Sequence, residues 1–298
     1  MHRSLSLLLK AGRSVAAELV TKSSVTLTKT AARSTSSLPR ACRADEPLAP
    51  DRALRQDLAA AYRICSLLNL DDHTYTHLSA RLPGSDCYYI YPFGELYEEV
   101  TAGSLLCVGL DGKIREGAEF QYNATGYAAH GAIYRARSDI NAVFHTHTSS
   151  SIAVSCNPQG LLPVSQHALH FYERVAYHDY GSLIVDTHGQ GSDLVKDLGD
   201  KYVMLMRNHG GLTSGRTIRE ALFYTYHLEF ACKNQVATMS SVKDPIMPPK
   251  EMCERAVRDL LSFEKDLGKR DWQAWIRKLD RLDPSYKLLR TNLEKNAE

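Results

Sequence analysis

Long apolar runs are missing from this chain. No stretch approaches the roughly eighteen consecutive apolar residues of a membrane-spanning helix, which excludes a multi-pass membrane protein. Paired cysteines are missing too: Cys42, Cys65, Cys87, Cys107, Cys156, Cys232 and Cys253 are odd in number, widely spread and without a CxxC spacing. That argues against a disulfide framework or a structural zinc knuckle and for a reducing compartment. Acidic residues are nearly absent from the first 43 positions, where eight Lys/Arg stand against Glu18 alone. Beyond them 28 basic residues face 33 acidic ones, so the remainder is mildly acidic and carries no sign of a nucleic-acid surface. A composition of 44% hydrophobic and 23% charged residues excludes wholesale disorder and collagen-like repetition.

Residues 1–45 read as a leader, basic and rich in Ser/Thr. The opening MHRSLSLLLKAGRSVAAELV winds into an amphipathic helix with Arg3, Lys10 and Arg13, the composition of a mitochondrial transit peptide. A mitochondrial location is therefore expected, with a basic extension on a cytoplasmic or cytoskeletal protein as the competing reading. Leu5–Leu9 is too short and too closely followed by basic residues for a secretory signal. Pro47 and Pro50 end the linker.

The folded part alternates between helical and strand periods. Asp51 is a candidate N-cap for a helix to Leu68, and Leu78–Leu82, Tyr88–Tyr91 and Leu105–Leu110 read as strands, the last running into an Asp111-Gly112 hairpin. A helix fits 126–137, a strand Asp139–Phe144, helices Ser149–Cys156 and Asp193–Leu198, and strands Leu183–Val185 and Tyr202–Met206. A long helix follows from Ile218 to Met239, then a helical extension over 241–298 with segments Lys250–Leu267 and Trp272–Leu279. The order predicts an α/β layered domain over 50–240 with a mixed or antiparallel sheet. Met204 and Met206 alternate on a buried strand and are expected in the core; Tyr177-His178-Asp179-Tyr180 reads as a turn closing the sheet edge.

Twelve histidines are present, and His145, His147 and His209 are the informative ones. Residues i and i+2 of a strand share a face, so His145 and His147 can reach one ion while Thr146 points away. A strand ending in Asn208-His209-Gly210-Gly211 can supply a third imidazole. Three neutral imidazoles with an open position suit Zn²⁺, or Fe²⁺ or Mn²⁺. An isolated HxH is weak on its own, and spacing alone does not connect it to His209.

Several separated motifs change that. GYAAHGAIYRARSDINAVFHTHT, LLPVSQHAL, AYHDYG and VMLMRNHGGLTSGRTIREA occur in the order found in the class II aldolase/adducin head-domain family, and PFGELYEEVTAGSL and GLDGKI also match. The resemblance runs from about Arg55 to Met239. It is nearest a subgroup of class II aldolases of unassigned activity, whose HxYxHxSxRxPG pattern stands here as His73, Tyr75, His77, Ser79, Arg81, Pro83 and Gly84. The resemblance implies a three-layer αβα sandwich, a homotetramer, and one divalent metal per chain, usually zinc, on His145, His147 and His209. Such a metal polarises a carbonyl in carbon–carbon lyase chemistry.

The sequence departs from the family's sugar-phosphate aldolases where their acid/base glutamate stands: Ala124-Thr125-Gly126 replaces Ser-Ser-Glu, and glycine has no proton to exchange. Two phosphate anchors fall on His77 and on Phe93, before Gly94. Gly94, Thr125, Gly126 and His77 therefore remain as substrate-binding positions with altered chemistry. Replacement acid/base candidates are His130, on a helix expected to face the site, and His167, His170 and Tyr172; Tyr97 is a weaker one. For each the competing reading is structural, a hydrogen-bonded core group or a solvated helix face. Two functions stay open. One is a metal-dependent enzyme on a small carbonyl or hydroxy compound, with non-haem iron oxygenation as a variant. The other is an oligomeric scaffold like adducin, whose head domain serves the actin–spectrin skeleton and also lacks the glutamate. No polybasic block follows residue 240, unlike the adducin tail.

Overall fold

The computed structural model describes residues 49–181, 190–263 and 265–289. The leader and the strand expected over Leu183–Val185 lie outside the described residues. Among the described residues the chain runs α1 (Pro50–Leu67), β1 (His77–Ala80), β2 (Cys87–Ile90), β3 (Leu106–Gly109), β4 (Ile114–Glu116), α2 (Ala124–Ala136), β5 (Ala142–Thr146), α3 (Ser149–Ser155) and α4 (Gln166–Leu169). It continues as β6 (Val175–His178), α5 (Gln190–Leu198), β7 (Val203–Met206), β8 (Gly210–Gly215), α6 (Ile218–Ser241), α7 (Lys250–Phe263) and α8 (Lys269–Leu282). The strands form one sheet in the order β4-β3-β2-β1-β5-β8-β7-β6, antiparallel except for the parallel pair β6–β7. The mixed sheet expected from the element order is present.

The centre of the sheet is covered on both faces, as β5 shows: all five of its residues are buried. Alternation then sorts side chains between two helical layers. Met204 and Met206 share a core with Ala129 and Ile133 of α2 and Leu194 and Leu198 of α5. Val203 and Leu205 point the other way, onto Phe223 and Leu228 of α6. Both methionines are core residues.

Three local readings change. Helix α1 begins at Pro50, whose fixed φ suits the first turn, and Ala49 caps it without a side-chain bond. Asp51 is therefore not the N-cap; it accepts from Arg55 Nε at 3.0 Å. Strand β5 starts at Ala142 rather than Asp139, because Arg137 clasps the Asp139 carboxylate with two bonds of 2.8 Å. Tyr177 and His178 belong to an edge strand, not to a turn. Strand β8, GGLTSG, has the glycine content of a loop, yet it fits between β5 and β7 because a side chain at Gly210 would collide with the Thr146 carbonyl oxygen, 2.3 Å from where its Cβ would stand. The C-terminal helices pack onto the same core: Trp272, Leu279 and Tyr286 join the residues of α1 there.

Candidate metal centre

The alternating motif around β1 aims its side chains at α2. His77 and Ser79 lie on one face of β1, and His77 is paired directly across from His145 of β5. Farther along, Arg81 donates to the carbonyls of Ile140, Tyr134 and Arg137 at 3.1, 2.9 and 2.9 Å, satisfying backbone acceptors at the end of α2. The HxSxR half of the pattern, His77, Ser79 and Arg81, is thus the interior face of one short strand and its flank, whereas His73 and Tyr75 before it are exposed.

His145 is the last residue but one of β5, and His147 follows where the chain leaves the sheet for α3. Thr148 caps α3, and the Thr148 and Ser150 hydroxyls both donate to the buried Glu229 carboxylate of α6, the latter at 2.6 Å. This pins the turn that carries His147. His209 comes from the β7–β8 turn, where Asn208 takes a left-handed φ of 58°. The three Nε2 atoms converge: 2.8 Å from His145 to His147, 3.0 Å from His147 to His209 and 3.3 Å from His145 to His209.

The hydrogen bonds on the far side of these rings select the tautomers. Nδ1 of His145 donates to the Gly211 carbonyl at 3.0 Å, and Nδ1 of His147 donates to Asp72 Oδ2 at 3.1 Å. Both Nε2 atoms are then lone pairs aimed at one point, an arrangement that fits a cation. Tetrahedral zinc with bonds of about 2.0–2.1 Å sets its nitrogens about 3.3 Å apart. Burial, then the neighbouring His77, His147 and His209, hold His145 well below the usual imidazole range. Burial, with His147 and His178, lowers His209 to about 4. Both ligands are neutral near pH 7, as metal binding requires. A cavity of about 420 Å³ opens beside His209, lined also by His178, Tyr180, Asp197 and Arg207.

The remaining candidates divide. His77 and His130 are buried beside the triad, and the His77 ring packs against His145, tilted by 36°, with centroids 5.1 Å apart. Burial, then His145, lowers His130 to about 3. Gly126 packs against the His77 ring. Thr125 lies in α2, but its side chain is outside the described residues. Gly94 turns the chain after β2 at φ 107°. His167 and His170 do not join the triad in this chain: they pack with His227, Phe223 and Phe230, because the short helix α4 docks on α6. Tyr172, three residues beyond α4, goes with that segment rather than with the triad. Tyr97 is fully buried against Tyr62 and Tyr91 and has a core role. Sequence reasoning missed Asp72 and Glu229; only the preceding Asp71-Asp72 pair marked the first, and nothing marked the second.

Residues 56–236 match the family model of the class II aldolase and adducin N-terminal domain. The chain belongs to that family. A provisionally named class 2 aldolase protein of Caulobacter vibrioides is 37% identical over 234 residues, covering 78% of this chain and 91% of that protein. Alpha-adducin of Rattus norvegicus is 40% identical over 199 residues, 65% of this chain but 27% of the adducin. The crystal structure of an aldolase II superfamily protein from Pseudomonas syringae superposes with a TM-score of 0.75 at 41% identity, over 81% of this chain and 98% of that one. The class II aldolase fold places the HxH end of β5 and the β7–β8 turn side by side here, and that adjacency assembles the triad.

Proposed function

We propose that this class II aldolase-type chain is a divalent-metal-dependent enzyme, a carbon–carbon lyase acting on a small carbonyl or hydroxy compound. The convergence of three Nε2 atoms, with tautomers set by Gly211 and Asp72, carries the reading. A metal bound there supplies a Lewis acid for a substrate carbonyl and for the negative charge that carbon–carbon cleavage leaves on its oxygen. His145, His147 and His209 hold it, zinc first, with iron or manganese as alternatives. The adjoining cavity has the size of a small-molecule site. Residue 126 contributes no carboxylate, and the imidazole standing against it is His77.

The test is metal content by mass spectrometry on protein purified without a metal-binding tag. About one zinc, iron or manganese per chain is expected, and its identity selects lyase or oxygenase assays. The double variant His145→Ala/His147→Ala is expected to lose the metal and keep its oligomeric state. Stoichiometric metal in that variant overturns the assignment.

A second reading, a non-catalytic adducin-like scaffold contacting the actin–spectrin skeleton, is favoured by Gly126 and by the alpha-adducin identity. It predicts no metal even after reconstitution with zinc or anaerobic iron. In both readings we infer a homotetramer, tested by light scattering. We also infer import into mitochondria directed by residues 1–45, tested by sequencing the N-terminus of the protein recovered from that organelle.

A further inference from the structure

Gly126, His130 and Tyr134 stand at successive i, i+4 positions of α2 and form one stripe of that helix. The stripe faces His77 and Ser79 of β1 through a line of buried polar contacts. His77 Nδ1 is 3.0 Å from His130 Nε2, His130 Nδ1 is 2.6 Å from Ser79 Oγ, and Ser79 Oγ is 2.8 Å from the Tyr134 hydroxyl. His77, Ser79, His130 and Tyr134 are all buried. Such a line holds its first ring in place, because moving the ring strands a buried nitrogen.

The other end of the stripe explains its glycine. A Cβ at Gly126 would lie 2.8, 2.9 and 3.0 Å from Cδ2, Cγ and Nε2 of His77. The imidazole of His77 therefore takes the space that any side chain at 126 needs. The ring is held by His130 at one edge, and His145 lies 5.1 Å away, centroid to centroid. His145 in turn is anchored at Nδ1 by Gly211, and His77 is the ring packed against it from β1.

We propose that His77 is a positioning residue of the metal centre, holding the ring of His145 in its ligating orientation, and that glycine at 126 is required because it admits His77. This rests on the metal reading above. Placement of a ligand ring by a buried neighbour is the role that outer contacts play at metal sites generally.

The experiment is a mutant cycle on the full chain loaded with Co²⁺, read by the cobalt d–d absorption spectrum, by chelator competition, and by thermal unfolding of the metal-free protein. Gly126→Ala and His77→Ala are each expected to weaken Co²⁺ binding by about tenfold or more and to alter the spectrum. In the double variant His77→Ala/Gly126→Ala the two losses do not add, because the methyl group fits once the ring is gone. Its metal-free melting temperature should be no lower than that of His77→Ala. His77→Asn, which retains a polar contact toward His130, recovers part of the affinity. A Gly126→Ala protein with wild-type spectrum and affinity, or two single losses that simply add, overturns the proposal. Failure of the wild-type chain to bind Co²⁺ at all sinks the metal reading itself, and is distinguishable from wild-type binding that the variants leave unchanged.

Discussion

Asp72 Oδ2 accepts a hydrogen bond from His147 Nδ1 at 3.1 Å, joining the loop before β1 to the residue just past the end of β5. The carboxylate keeps the proton on Nδ1 and orients the ring. Asp72→Ala is expected to lower metal affinity by about 10–100-fold, with Asp72→Asn, which keeps an acceptor, in between. Chelator competition measures it. Equal affinity for wild type and Asp72→Ala would show that the pair is incidental to binding.

Arg81 is 4% exposed and spends its guanidinium on three backbone carbonyls while lying 4.7 Å over the Tyr134 ring. Removing it strands buried acceptors at the end of α2, the helix that carries Gly126 and His130. Arg81→Ala should cost about 3 kcal/mol in urea unfolding, and Arg81→Lys should restore little, since an ammonium cannot span three acceptors in a planar fork. A loss below about 1 kcal/mol contradicts this account.

Stability of the metal-free protein should fall with acid. His130 is neutral in the fold, lowered to about 3 by burial first and His145 second, whereas an unfolded histidine titrates near 6.5. Below pH 6.5 the unfolded chain binds the proton and the native chain does not, so the stabilisation present above 6.5 is lost as pH falls toward 3. Each such histidine contributes a slope of up to about 1.4 kcal/mol per pH unit. Denaturant unfolding between pH 7 and 5 checks the sign, and a His130→Gln variant should show a shallower slope. An equal slope in both proteins assigns the acid loss elsewhere.

Leu279 of α8 is 3% exposed and shares the main core with Tyr62 and Ile64 of α1. Leu279→Ala should destabilise the whole domain by about 2–4 kcal/mol in a single cooperative transition. A small separate transition would mean that the C-terminal helices unfold alone.

Much of this was legible beforehand. The family motifs and the two-residue period of β1 and β5 pointed to the mixed sheet, to the HxH pair and to His209 as its partner. What escaped was decided between elements. Strand β8 carries little strand signal of its own: Gly210 answers to the Thr146 backbone and not to local propensity. His167 and His170 looked like neighbours of the site, but α4 docks on α6 and pairs them with His227.

By itself the sequence determined which residue types could bind a metal, on which strand they alternate, and that residue 126 has no acid to offer, because these follow from composition and from the two-residue period. Only the tertiary structure decided that Asp72 fixes His147, that Glu229 pins the following turn, and that His77 fills the space beside Gly126. Those relations join residues 49 to 79 positions apart in the chain, and they exist only where packing brings separate elements within hydrogen-bond or van der Waals reach.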